Sequence, residues 1–121
     1  MPHSSKASLA VAVLLSLAAS QADAHAKLLA STPAAGATVA SPNTITLTFN
    51  ERLVPAFSSF ELARGDGGAV GVKVSMGADH KTLVGAPQAR LKPGAYKVMW
   101  HAASADDGHR MSGAIDFTVK D

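Results

Sequence analysis

The chain has no cysteine. No disulfide can staple it, and any metal it binds must be held by nitrogen, oxygen or thioether donors. Aromatic residues are scarce, with one Trp, one Tyr and four Phe, too few to furnish a broad aromatic binding face. An excess of one charge is also missing. The formal net charge is only +2 and the basic residues form no run along the sequence, which argues against nucleic acid as a partner. Beyond the N-terminal segment, no apolar stretch approaches the roughly 20 residues that a membrane-spanning helix needs.

What is present starts with "MPHSSKASLAVAVLLSLAASQADA". A short start carrying Lys6 leads into an apolar run from about Leu9 to Ala19. Ala22 and Ala24 then occupy the −3 and −1 places of an A-x-A cleavage site. This is the layout of a secretory signal peptide. The expected organisation is therefore a signal over residues 1–24 and one exported domain over residues 25–121, with no membrane insertion of the mature chain. Its first residue would be His25.

In the mature part, period-two patterns replace any helical period. "TITLTF" sets Ile45, Leu47 and Phe49 against Thr44, Thr46 and Thr48; "AVGVKVS" alternates Val70, Val72 and Val74. "AYKVMWHA" sets Tyr96, Val98 and Trp100 against Lys97, Met99 and His101, and "AIDFTV" alternates Ile115, Phe117 and Val119. Such runs mark half-buried strands. "KLLAS" and "FSSFELA" are weaker candidates. Turn signals ("STPAAGA", "SPN", "RGDGGA", "MGADHK", "LKPGA") separate them. About seven strands spaced in this way predict an all-β antiparallel sandwich, with Trp100 as the anchor between its sheets. The Arg-Gly-Asp within "RGDGG" is read as a hairpin turn and not an adhesion signal, because glycine and aspartate are what such turns require.

Chemistry is concentrated in two places. As a mature N-terminus, His25 would offer its amine nitrogen and its own Nδ1 to one ion, closing a six-membered chelate that no internal histidine can form. Metal can displace the proton of an α-amine near neutral pH, and paired nitrogens suit a tetragonal ion such as Cu(II). Near the other end, Asp107-Gly108-His109 in "SADDGHRMSG" lies between two strand patterns. Its carboxylate and imidazole can share an ion where the intervening glycine lets the backbone fold tightly. Together the two features assemble an amine, two imidazoles and a carboxylate. Asp106 is the alternative carboxylate. His80, in a turn, and His101, on the strand face opposite Trp100, are expected to be bystanders.

The start "HAKLLASTPAAGATV", the strand "ITLTFNERL", the stretch "LKPGAYKVMWHAASADDGHRMSG" and the ending "IDFTVKD" resemble, in order and spacing, the CopC family of periplasmic copper-binding proteins. The likeness spans the mature chain, with residues 64–87 matched loosely. It implies a seven-stranded Greek-key β-barrel or sandwich (cupredoxin-like or Ig-like). It also implies Cu(II) held by His25, Asp107 and His109, in a periplasmic carrier or buffer serving copper homeostasis or resistance, without enzymatic activity. An inner-membrane CopD-type transporter is the implied delivery partner, and the protein is expected to act as a monomer. The family's F-x-E-x-L segment matches "FNERL", placing its acidic residue at Glu51, which could orient a ligand or a water near the copper, or be a solvated charge or part of an ion pair with Arg52 or Lys27. Some relatives add a methionine-rich Cu(I) loop. Here only Met76 falls in that region, so no separate Cu(I) site is expected.

Three alternatives remain open at this level. A His-brace copper monooxygenase would use a related donor set. A metal-free Ig-like interaction domain would be indifferent to whether His25 is the free terminus. Cleavage after Ala22 would instead leave Asp-Ala-His at the start, which can wrap Cu(II) without Asp107 or His109.

Overall fold

The computed structural model describes residues 27–121; the signal segment and His25 lie outside the described residues. Nine strands follow: β1 (Leu28–Thr32), β2 (Thr38–Val39), β3 (Ile45–Phe49), β4 (Ser59–Arg64), β5 (Ala69–Val70), β6 (Val72–Met76), β7 (Thr82–Pro87), β8 (Gly94–Ala103) and β9 (Arg110–Val119). A 3-10 turn at Pro55–Phe57 stands between β3 and β4. Among the described residues, no helix is long and apolar enough to cross a membrane.

The strands form two sheets, ordered β1-β3-β7-β6 and β2-β9-β8-β4-β5. This is the all-β sandwich that the alternation predicts. Two details differ from the expectation. Two-residue strands β2 and β5 come in addition to seven longer ones, and the second sheet is mixed, because Thr38–Val39 pairs parallel to Thr118–Val119.

Alternation determines which side chains meet between the sheets. Ile45, Leu47 and Phe49 of β3 are buried, as are Tyr96, Val98 and Trp100 of β8 and Ile115, Phe117 and Val119 of β9. Trp100 presents its ring edge-on to Phe49 of the opposite sheet, with centroids 5.1 Å apart at 73°, a favoured aromatic arrangement. Room for the indole comes from Gly113, its partner on β9. A Cβ at Gly113 would lie 2.6 Å from Trp100 Cζ2. The Trp100 anchor thus depends on an absent side chain next door.

Valine alternation suggests one strand over "AVGVKVS", but the chain divides it. Val70 pairs with Leu62 in the second sheet, while Val72 pairs with Pro87 in the first. Gly71 is the crossover, and the Gly71 carbonyl accepts the Gln88 N–H at 2.9 Å.

Strands β8 and β9 pair over their whole length, from Gly94↔Val119 to Ala103↔Arg110. Residues 104–109 therefore form the connection at one end of the sandwich. That end carries the Asp107-Gly108-His109 triplet.

Candidate metal centre

The 104–109 connection is tied internally by a short set of hydrogen bonds. Ser104, buried at its base, donates its N–H to the His109 carbonyl and accepts the Gly108 N–H on its own carbonyl, both at 2.9 Å. Its hydroxyl oxygen accepts the Asp106 N–H at 3.3 Å. Asp107 Oδ1 accepts the His109 N–H at 2.9 Å. This last bond is an Asx turn, in which an aspartate carboxylate mimics a backbone acceptor two residues on. Gly108 takes φ +71, the left-handed region that favours glycine. The outcome is that the Asp107 carboxylate and the start of the His109 side chain are held in one tight turn, with both residues exposed. A carboxylate with one oxygen in a turn retains lone pairs for a cation.

Further bonds clamp this connection to the segment after β3. Ala105 N–H donates to the Arg52 carbonyl and Val54 N–H to the Ala103 carbonyl, each at 2.9 Å, and Leu53 bridges Ser104. The same segment grips the first described residue. Lys27 N–H donates to Asn50 Oδ1 at 2.7 Å, and Asn50 N–H donates back to the Lys27 carbonyl at 3.1 Å. Residues 27, 50–54 and 103–109 are thus three neighbouring pieces of backbone at one end.

Glu51 lies in the middle piece. Among the described residues its buried Oε1 has no hydrogen-bond partner, and the side chain makes no ion pair with Arg52. An unsatisfied buried acceptor costs on the order of 1–3 kcal/mol, more when charged. Such an oxygen is what a cation or a metal-bound water would satisfy, so the donor chemistry here suits a metal ion. Among the described residues, no three His, Asp or Glu side chains gather into a complete metal site. Asp107 and His109 share one turn, Glu51 occupies the adjoining segment, and His25 lies outside the described residues.

The remaining candidates take other roles. His80 sits at φ +59 in the 77–81 turn, and its carbonyl accepts the Leu53 N–H at 2.7 Å. His101 is on the outer face of β8, with Nδ1 3.3 Å from the Phe57 carbonyl. Met76 and Met111 pack partly against the core, and Met99 is on the outer face. The Glu51 oxygen is the feature that periodicity and turn chemistry miss; the family segment "FNERL" is the signal that points to it.

Residues 28–120 match the CopC domain family model. The chain belongs to the CopC family. Copper resistance protein C of Xanthomonas campestris pv. juglandis is 38% identical over 121 residues, covering 94% of this chain and 94% of that one. Copper resistance protein C of Pseudomonas syringae pv. tomato is 41% identical over 111 residues, covering 86% and 87%. In three dimensions, the crystal structure of PcoC, a methionine-rich copper resistance protein from Escherichia coli, superposes with a TM-score of 0.74 at 39% identity, over 80% of this chain and 100% of that one. CopC from Methylosinus trichosporium OB3b gives 0.73 at 31%, over 79% and 94%. The CopC domain match includes Glu51, Asp107 and His109 and begins after His25.

Proposed function

We propose that this CopC-family chain is a periplasmic Cu(II) carrier and buffer in copper homeostasis or resistance, with no catalytic turnover. The observation that carries the reading is the Asp107-Gly108-His109 turn clamped beside Glu51, whose buried Oε1 lacks a partner. Relatives named copper resistance proteins supply the metal's identity. His25 completes the donor set. It lies two residues before Lys27, a covalent reach of at most about 7 Å, and Lys27 is bonded to Asn50, next to Glu51.

In this reading the signal is removed after Ala24. The freed amine and Nδ1 of His25 chelate Cu(II), and the Asp107 carboxylate and His109 imidazole close the nitrogen-rich site, a donor set suited to a tetragonal cupric ion. The Asx turn presets two ligands, so little ordering is left for the ion to impose. Glu51 orients a ligand or a metal-bound water. Met76 and Met111 pack partly against the core and Met99 is on the outer face of β8, and in this reading they form no methionine-rich Cu(I) site. The protein would act as a monomer, lower free Cu(II) by mass action, and deliver the ion to an inner-membrane CopD-type transporter.

Native mass spectrometry of protein exported to the periplasm and titrated with Cu(II) tests this directly. The expected spectrum shows a chain starting at His25 with one tightly held copper, lost in the Asp107→Ala/His109→Ala double variant. A chain starting at Asp23 that keeps copper in that variant would replace this site with the Asp-Ala-His one. Copper retained from neither start would overturn the copper reading.

A further inference from the structure

Basic residues scattered in the sequence are brought together by the fold at the end of the sandwich remote from the Asp107-His109 turn. At that end Gly94 pairs with Val119, Arg64 with Tyr96, and Val72 with Pro87. The termini of these strands carry Arg64, Lys73, Arg90, Lys92 and Lys120, against Asp66 and Asp121 as the carboxylates.

Three of these cations, Arg64, Arg90 and Lys92, line one pocket of about 360 Å³ together with Tyr96. The loop that presents two of them is pinned. Leu91 is buried in the core and its N–H donates to Ser41 Oγ at 2.9 Å. The Tyr96 hydroxyl donates to the Lys92 carbonyl at 2.7 Å. With Leu91 drawn inward, Arg90 and Lys92 on either side of it are both exposed. Arg64 Nε is 3.7 Å from Asp66 Oδ1. Arg90 and Lys92 form no ion pair among the described residues. The pocket therefore holds more positive charge than Asp66, paired to Arg64, offsets, on backbone already fixed in place.

We propose that this pocket recognises a phosphate group, borne by an anionic phospholipid headgroup or by a small free phosphate. Two guanidinium forks can each donate paired N–H groups to phosphate oxygens, and the Lys92 ammonium adds a third charge-assisted donor. Bound to a lipid surface in this way, the protein would turn its Asp107-His109 end toward the aqueous phase. The site does not depend on the copper reading and should act in copper-free protein.

The test pairs two probes on the full exported chain. One is cosedimentation with vesicles of phosphatidylcholine, with or without phosphatidylglycerol. The other is titration with inorganic phosphate followed through backbone amide shifts. Binding is expected to weaken about tenfold or more in Arg90→Ala/Lys92→Ala, with little change in Arg52→Ala/Lys81→Ala, which loses the same charge at the opposite end of the sandwich. Binding to phosphatidylglycerol vesicles identifies the headgroup as the source. Shifts confined to residues around 88–96 with inorganic phosphate alone identify a free anion. Equal weakening in both double variants would reduce the effect to net charge and overturn the site, as would no response to either probe.

Discussion

Asp66-Gly67-Gly68 and Asp107-Gly108-His109 fold into the same turn at opposite ends of the sandwich. In each, the aspartate Oδ1 accepts the N–H two residues on, at 2.8 and 2.9 Å, and the middle glycine has positive φ, +96 and +71. A third copy, Asp79-His80-Lys81, closes at 2.9 Å with a non-glycine, His80, at φ +59. Backbone geometry does not distinguish them; what differs is the chemistry around each. Asp66 faces the Arg64 guanidinium and closes a hairpin. Asp107 is followed at the third position by an imidazole, beside a segment whose Glu51 oxygen has no partner. A turn motif becomes a metal-ligand candidate through its third side chain and an unsatisfied neighbour.

The largest expected effect separates these two turns. Asp107→Asn with His109→Ala should lower Cu(II) affinity by at least about a hundredfold, on the scale of lost metal-site groups, when measured by competition with a chelator. Asp66→Asn should leave affinity unchanged. Both aspartate changes keep an acceptor for the turn, so the melting temperatures should stay close to the parent's. Equal copper affinity in the two variants would erase the distinction.

Legibility in the sequence follows a similar divide. The β8 and β9 core positions were readable because large apolar residues alternate strictly there, and "RGDGG" and "DGH" were readable as turns from local chemistry. Strand β7 was not. Its "TLVGAP" puts Gly85 at a buried position against Phe60, so the inward residue is small and the hydrophobic period disappears. The Gly71 crossover was hidden because the valines continue their alternation while the chain changes sheets. Strand β9 starts at Arg110, ahead of the apolar alternation that marks it, since its first residues answer to the ladder with β8. For the site, donor types and the D-x-H spacing were legible. The buried state of the Glu51 oxygen was not, because the exposure of a single carboxylate oxygen is a property of the folded chain and leaves no mark in the local sequence.

Glycine replacement gives the next largest effects. Gly67→Ala and Gly108→Ala each force a side chain into left-handed backbone and should each destabilise by about 1–2 kcal/mol, measured by urea unfolding. Neither added Cβ meets another atom, so the cost is conformational and should be similar at both sites. Only Gly108→Ala should also weaken copper binding, because it disturbs the turn that holds the two proposed ligands, Asp107 and His109. A copper effect from Gly67→Ala would mean that the two ends communicate through the sheets.

Glu51→Gln tests the unsatisfied neighbour. Removing charge from a buried acceptor without a partner should stabilise the copper-free protein by about 1 kcal/mol and lower copper affinity, a trade that unfolding with and without Cu(II) would show. If copper-free stability falls instead, Glu51 has a structural partner and the parallel with the neutralised Asp66 returns.

The smallest effect concerns the third turn. The bond from Lys81 N–H to Asp79 holds the Asp79 carboxyl below its ordinary value, with further help from Thr82 and the Lys81 charge. The ionised form is therefore favoured by folding. Its contribution is complete above the pKa of an unfolded aspartate and is lost as pH falls through the lower folded value. The melting-temperature gap between the parent protein and Asp79→Ala should be small at neutral pH, because the group is fully exposed, and should close as the pH falls below the ordinary aspartate range and through the lower folded value. A gap that persists in acid would show that this turn is held by the Asp79 side chain regardless of its charge. Charge would then distinguish none of the three turns on stability grounds, and their difference would rest entirely on the imidazole of His109 and the unpartnered oxygen of Glu51.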